Sequence, residues 1–484
     1  MKPNTSEINI GDRTLYVISD LHLAAGRNAT THNYSGTENF FADDIFCRFL
    51  ADLAIQAKGH GMLAINGDFI DFLRITNVPR SREQLEEWKL LLEHVQIQMT
   101  IDALRRSYDN DTELKYGLKT HEYKSVWKIL ICSKGHSPVF AALAKWILDG
   151  NQLVIIKGNH DLEWYWPGVQ DAFRVLISRQ IVGAGVDLKE HIRFYQDVLI
   201  VNDRVYLEHG HRYENITWSN KVLMPNGTEL NLPFGSFMNR YLLNKIEISY
   251  PYLDNIRPRT NILPVLIRER FPLALQVLFN YIPFVFKLIP KWEIWNAFKY
   301  LLEIVLIIGI PVGITGYAVY ETGIFSLDLP SQGIGHWFIG QLKNVFLLVL
   351  SYVIGRVLAW AKLREPGSLF KHALDILDNR QGLRIVTFGH THDPEQKESR
   401  GRRYFNTGTW MPVYEIAAAE VRMDLTYSFL RINFEANGEP DTKTTGLYRW
   451  NNAMGCQEPM VLIEREEKRE QFSMIRRPQK ARAS

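Results

Sequence analysis

The sequence predicts a layered α/β protein interrupted by a helical, membrane-associated insertion. Three observations predict it. Short β-branched runs recur and stop at clusters of Asp, Asn or His beside Gly; amphipathic helical stretches lie between them; and one tract is apolar over about a bilayer's thickness. The 484 residues are 46% hydrophobic and 23% charged, with a mean hydropathy of −0.16, which excludes a disordered chain and a fully polytopic membrane protein. A net charge of +3 is too balanced to argue by itself for nucleic acid. The cysteines, Cys47, Cys132 and Cys456, are widely spaced and form neither a disulfide framework nor a zinc-knuckle pattern, which points to a reducing compartment. The polar N-terminal stretch has no apolar signal-peptide core.

Along the chain, TLYVI runs into SDLHL, GMLAI into NGDFID, QLVIIK into GNHD, RVYLE into HGHRY and LRIVTF into GHTH. Each run has the length and composition of a strand. In layered α/β folds ligands sit beyond the carboxyl ends of the strands, so these clusters read as one site assembled from distant segments. The stretch from Arg82 to Asp149 reads as helical. Its amphipathic first part is expected to form a cap over the site, at about 73–130. Its last part, SPVFAALAKWILDGN, reads as a helix with Ser137 as N-cap, Pro138 in the first turn and Gly150 at the stop. The expected domains are a first catalytic part at 1–214, an insertion at 215–380, a second catalytic part at 381–462 and a charged, frayed tail at 463–484.

The polar clusters supply Asp20 and His22; Asp68 and Asp71; Asn159, His160 and Asp161; His209 and His211; His390 and His392. Carboxylates and imidazoles together suit Mn²⁺, Fe or Zn²⁺. D-x-H and G-H-x-H each put two ligands on one side of the chain. Gly67, Gly158 and Gly389 precede candidate ligands where the backbone is expected to turn sharply. Asp71 and Asp161 read as carboxylates that orient histidines. His211 reads equally as a ligand or a structural hydrogen-bonder, and Cys132 as a buried thiol. Trp164, Tyr165 and Trp166 read either as an apolar wall beside the site or as ordinary packing. One D-x-H or G-H-x-H alone is weak; the ordered set carries the metal-site reading.

That ordered set, D-x-H, G-D-x-x-D, G-N-H-D, H and G-H-x-H, resembles the calcineurin-like metallophosphoesterase superfamily over about residues 12–72, 130–215 and 382–435. The resemblance implies a sandwich of two mixed β-sheets flanked by helices. It implies two divalent cations, Mn²⁺ foremost, with Fe or Zn²⁺ as alternatives. Asp20, His22, Asp68 and His392 would hold one, and Asp68, Asn159, His209 and His390 the other, with Asp68 bridging. His160 would stand near the scissile phosphate as proton donor or charge stabiliser, with Asp71 and Asp161 completing the catalytic set. The implied chemistry is in-line attack on phosphorus by a hydroxide shared between the cations, without a covalent intermediate. The segment RRYFNTGTW matches the strand that follows the last motif. The contexts H-G-H-R-Y and G-H-T-H-x-P resemble the UDP-2,3-diacylglucosamine hydrolase group, which cleaves a pyrophosphate beside a lipid sugar. The chain departs from that group in GNHD, where GNRD is expected, and in its longer insertion. The likeness therefore points to a lipid-linked phosphoester rather than to that one substrate.

Residues 301–320, LLEIVLIIGIPVGITGYAVY, are uncharged from Ile304 onward and as a helix would reach about 30 Å, the bilayer core. A partner segment at 337–360 contains Lys343 and Arg356, placed to snorkel, with Trp337 and Trp360 as belt residues. The loop between the two lacks Lys and Arg, whereas the outer flanks carry Lys287, Lys291, Lys299, Arg356, Lys362 and Arg364. The positive-inside rule then places the catalytic domain on the cytoplasmic side of the inner membrane. The tract FPLALQVLFNYIPFVFKLIPKW, broken by Pro272, Pro283 and Pro290, reads as an interfacial element or a pair of core helices. The expected function is a membrane-anchored, two-metal phosphohydrolase with the bilayer and a phosphorylated, lipid-linked substrate as partners. The alternatives are a nuclease or nucleotide phosphodiesterase, for which no continuous Lys/Arg groove is traceable, and a non-catalytic scaffold.

Overall fold

All five β-branched runs form strands, and their pairing divides them between two mixed sheets. The computed structural model describes residues 3–181, 187–250, 255–257, 262–288, 368–417 and 420–462, together with positions 313 and 349. With strands numbered along the chain, the seven-stranded sheet has the order β16 (Cys456–Pro459), β15 (Gly446–Asn451), β14 (Ser428–Ile432), β2 (Thr14–Ile18), β3 (Gly61–Asn66), β4 (Gln152–Ile156) and β5 (Ile192–Tyr195). Strands β2 to β5 pair in parallel, and β14 joins β2 antiparallel. The six-stranded sheet has the order β1 (Thr5–Ile8), β6 (Val198–Val201), β7 (Val205–Glu208), β9 (Ile385–Phe388), β11 (Arg402–Asn406) and β10 (Glu395–Ser399). Its central strands β7, β9 and β11 are parallel.

Strand alternation sorts the side chains into layers. Leu15, Val17, Met62, Ala64, Val154 and Ile156 meet Leu199, Val205, Leu207, Ile385 and Phe405 in a core between the sheets. The intervening residues, among them Ile18, Leu63, Ile65 and Ile155, face helices on the far side. With both faces covered, each strand is a continuous apolar run rather than an alternating one, which is why the runs were conspicuous. The outer helices over the seven-stranded sheet are α1 (Asp43–Ala57), α2 (Arg82–His94), α3 (Ile101–Ser107), α4 (Asp111–Tyr116), α5 (Glu122–Gly135), α6 (Ser137–Leu148) and α7 (Pro167–Ser178). The helix Phe370–Asn379 covers the six-stranded sheet through Ala373 and Leu377. The layers run helix, sheet, sheet, helix.

Two local expectations change. The segment expected as a cap joins the outer layer: Leu85, Trp88, Leu91, Leu92 and Leu104 are buried in the same cluster as the helices behind β2 and β3. Its apolar stripe is spent on that core rather than held over the site. The N-cap of α6 is His136, and Ser137 is already inside the helix without a capping hydrogen bond. The His136 ring is instead engaged by Asp43 at 2.8 Å and by Glu38 at 3.3 Å.

The chain divides into two compact units, one of Met1–Asn231, Ser368–Pro412 and Leu425–Ser484, the other of Leu232–Gly367 and Val413–Asp424. The second unit's main segment runs from 232 to 367, and the hairpin of β12 (Val413–Ala417) and β13 (Glu420–Asp424) belongs with it. The cause is pairing: β12 lies parallel to β8 (Ile256–Arg257). In the second unit the tract beginning at Phe271 is helical, as Phe271–Gln276, a wide π-type turn Val277–Tyr281, and Ile282–Leu288. Among the described residues no helix is long and apolar enough to cross a membrane. The expected spans at 301–320 and 337–360, and the tail at 463–484, lie outside the described residues.

Candidate metal centre

Each polar cluster follows the carboxyl end of its strand, and the side chains of both sheets converge. Strands β2, β3 and β4 of one sheet lead into Asp20, His22, Asp68 and Asn159, and strands β7 and β9 of the other into His209, His390 and His392. The ligand atoms of Asp20, His22 and His392 lie within 4.8 Å of one another, as do those of Asp68, His209 and His390, and those of His22, Asp68 and His160. These groups are able to hold a metal ion.

The backbone bends to make this possible. Asp20, His22, Asp68, His390 and His392 all have positive φ, between 52° and 69°. Left-handed backbone at a residue with a side chain costs on the order of 1–3 kcal/mol and persists where surrounding structure and function demand it. The three glycines serve approach more than turning. Only Gly67 of the three has positive φ. A Cβ at Gly158 would lie 2.2 Å from Asp68 Oδ1, one at Gly389 2.5 Å from Asp20 Oδ2, and one at Gly67 2.4 Å from the His209 ring.

Each side chain is held by one end and presented by the other. Asp68 Oδ1 accepts the His160 N–H at 2.8 Å, and its Oδ2 stands 3.1 Å from His209 Nε2 and 3.6 Å from His22 Nε2. One oxygen thus faces both halves of the site. Asp20 Oδ2 accepts the His390 N–H at 3.0 Å, and Oδ1 stands 3.2 Å from His392 Nε2. His209 Nδ1 donates to the Asn66 carbonyl at 2.9 Å, which aims Nε2 inward. Asp71 Oδ2 takes Nδ1 of both His22, at 3.0 Å, and His160, at 2.8 Å. Asp161 does otherwise. Its oxygens accept Gly158 N–H at 2.6 Å, Phe69 N–H at 2.9 Å and Trp164 Nε1–H at 3.0 Å, so it braces the loops and orients no histidine.

The donor set fits a cation. Asp20 Oδ1, His22 Nε2, His209 Nε2 and His390 Nε2 are buried and make no hydrogen bond, although the opposite end of His22, His209 and Asp20 does. Buried polar atoms are rarely left so, and four converging ones call for a ligand. Burial opposes charge on every group here, but the carboxylate–imidazole contacts outweigh it. Asp20, Asp68 and Asp71 are held below the usual carboxylate range, while His22 rises to about 10 and His209 to about 9. A cation therefore competes with protons for these nitrogens. His160 is raised too, against burial, by Asp71 and Asp68. Asp161 is pushed up to about 7 by burial and the neighbouring Asp68 charge.

His211 is a buried imidazole with no hydrogen bond at either nitrogen, kept neutral by burial and by His209 and Lys157. Trp164 packs against Phe72, Phe173 and Phe194 in the core, and Trp166 Nε1 donates to the Thr120 carbonyl. Several contributors escaped sequence reasoning. The end of β11 and the segment after it brace the loops of the site: Thr409 Oγ1 donates to the Asp20 carbonyl at 2.7 Å, and Asn406 Nδ2 to the Gly389 carbonyl at 2.7 Å. Glu214 Oε2 stands 3.3 Å from His390 Nε2. The match of RRYFNTGTW flagged the first two; nothing flagged Glu214.

In comparison with known proteins, the chain matched no family model and no curated protein.

Proposed function

We propose that the protein is a membrane-anchored, two-metal phosphohydrolase of the calcineurin-like metallophosphoesterase kind, acting on a lipid-linked phosphoester or pyrophosphate. The observation that carries this reading is the convergence of buried carboxylate and imidazole atoms without hydrogen bonds at the ends of strands from both sheets. Asp20, His22, Asp68 and His392 would hold one divalent cation, Mn²⁺ foremost, and Asp68, Asn159, His209 and His390 the other. Bound there, two cations supply a water of lowered pKa and neutralise phosphoryl charge. The chain's own part is positional and protonic. Asp71 holds the His22 and His160 rings by their Nδ1 atoms, so His160 presents Nε2, which carries a hydrogen when the ring is an imidazolium. Burial opposes the charge, but Asp71 and Asp68 outweigh it and raise the pKa of that ring, and in its protonated form it would donate the Nε2 hydrogen to a phosphoryl or leaving-group oxygen. His160 and His392 are partly exposed, at 13% and 15% of the side chain, so they lie where substrate enters.

The lipid part of the reading rests on the apolar 301–320 tract, uncharged from Ile304 onward, and on the helical stretch that precedes it, where Phe271, Leu275 and Phe279 are exposed at 55%, 40% and 68%. They recur at every fourth residue, which puts them on one helix face. The test is a detergent-purified full-length protein with Mn²⁺. It should release p-nitrophenol from bis-p-nitrophenyl phosphate and act on a lipid pyrophosphate in detergent in preference to short DNA. No turnover of either class in the presence of bound metal overturns the hydrolase reading; preference for DNA overturns the lipid one.

A further inference from the structure

We infer that Glu214 is an additional carboxylate ligand of the cation held by His209 and His390, an inference that rests on the metal-centre reading above. Two ligand atoms about 2.1 Å from one cation and at right angles to each other stand about 3 Å apart. Beside the hydrogen bonds from His22 and His160 to Asp71, three nitrogen–oxygen pairs in the site have that separation: His209 Nε2 with Asp68 Oδ2 at 3.1 Å, His392 Nε2 with Asp20 Oδ1 at 3.2 Å, and His390 Nε2 with Glu214 Oε2 at 3.3 Å. In none of them is the contact a formed hydrogen bond, for His209 Nε2, Asp20 Oδ1 and His390 Nε2 all make none. An ordinary ion pair would turn the N–H onto the oxygen. Atoms that stand side by side and aim past each other share a third point instead. The first two pairs are the expected ligands; the third repeats their geometry with a residue from outside every motif.

Local structure delivers Glu214 to that position. After His209 the chain makes one tight helical turn, His211–Tyr213, opened by Gly210 at a φ of 106°, and Glu214 ends it. Thr217 Oγ1 donates to the carbonyls of His211 and Glu214, tying the turn down. The Glu214 side chain is 19% exposed and His390 7%, so their interaction is little screened by water. A third carboxylate, beside Asp20 and Asp68, hardens the site toward oxygen-preferring cations such as Mn²⁺. It also distinguishes the cations, since the one at His22 and His392 gains nothing from Glu214.

The experiment is Mn²⁺ binding to the metal-stripped full-length protein, by calorimetry and by Mn²⁺ electron paramagnetic resonance. Glu214→Gln, nearly isosteric, should weaken one of the two ions by about 10–100-fold and leave the other unchanged. Glu214→Asp should fall between. Unaltered binding of both ions to Glu214→Gln overturns the inference while leaving the metal centre standing. A wild-type protein that takes up no Mn²⁺ overturns both.

Discussion

Asp68 does more than any other side chain in the site, because its two oxygens have separate duties: one is fastened to the His160 amide and the other faces His22 and His209. On the proposed two-cation reading, Asp68→Ala should lose both ions, counted by plasma mass spectrometry on desalted protein. Two ions retained would remove Asp68 from the bridge. His160→Ala should keep both ions and lose about 10²–10⁴-fold in rate. Glycine at 158 is required for room. Gly158→Ala forces a Cβ against Asp68 Oδ1 and should abolish metal uptake at a cost of about 1–3 kcal/mol in stability. Gly446→Ala, with nothing within 4 Å, should change stability by less than about 0.5 kcal/mol in chemical denaturation and leave uptake intact. The motif residues were legible because D-x-H and G-H-x-H are local patterns whose chemistry is carried by the residue types. Thr409, Asn66 and Glu214 reach the site through contacts with residues distant in the sequence, and no spacing announces such a contact. Asp161 looked like a histidine orienter because it sits in a motif; only the loop geometry shows that it accepts backbone amides.

At the level of elements, strands were legible and helix starts less so. A strand buried on both faces carries its own signal in composition, whereas the start of α6 is decided by partners elsewhere. His136 occupies the cap position with its ring held by Asp43, from α1, and by Glu38. Burial opposes the charge on His136, but Glu38 and Asp43 outweigh it and raise the pKa from 6.5 to about 9. A raised pKa means that the native state binds the proton more tightly than the unfolded one. The associated stability is complete below pH 6.5 and is lost as pH climbs through about 9. The free energy of unfolding should fall by up to about 3 kcal/mol over that window. His136→Gln should lack this component, measured as the difference between urea midpoints at the two ends. A variant that follows the wild-type profile unchanged would remove His136 as its source.

For the whole molecule, the two-sheet class was anticipated from the resemblance, but the partition of the chain was not. The hairpin Val413–Asp424 belongs with the second unit, where it pairs with Ile256–Arg257, a long-range choice that its own sequence does not encode. The membrane expectation concerns residues outside those described, and it is open to direct measurement. Full-length protein should sediment with membranes and resist alkaline carbonate extraction, and quantitative recovery in the soluble fraction would exclude an integral anchor. A different consequence follows from the strand order. In the middle of the seven-stranded sheet, Leu15 and Val17 pair with Ile432 and Leu430, some 400 residues further along the chain. At ~5–20 residues per second, a ribosome takes about 20–80 s to travel that distance. Throughout that interval the free side of β2 is an open hydrogen-bonding edge on the nascent chain, and for part of it so is the side of β7 that awaits β9. The molecule must be guarded during its own synthesis, and its last hundred residues end that exposure.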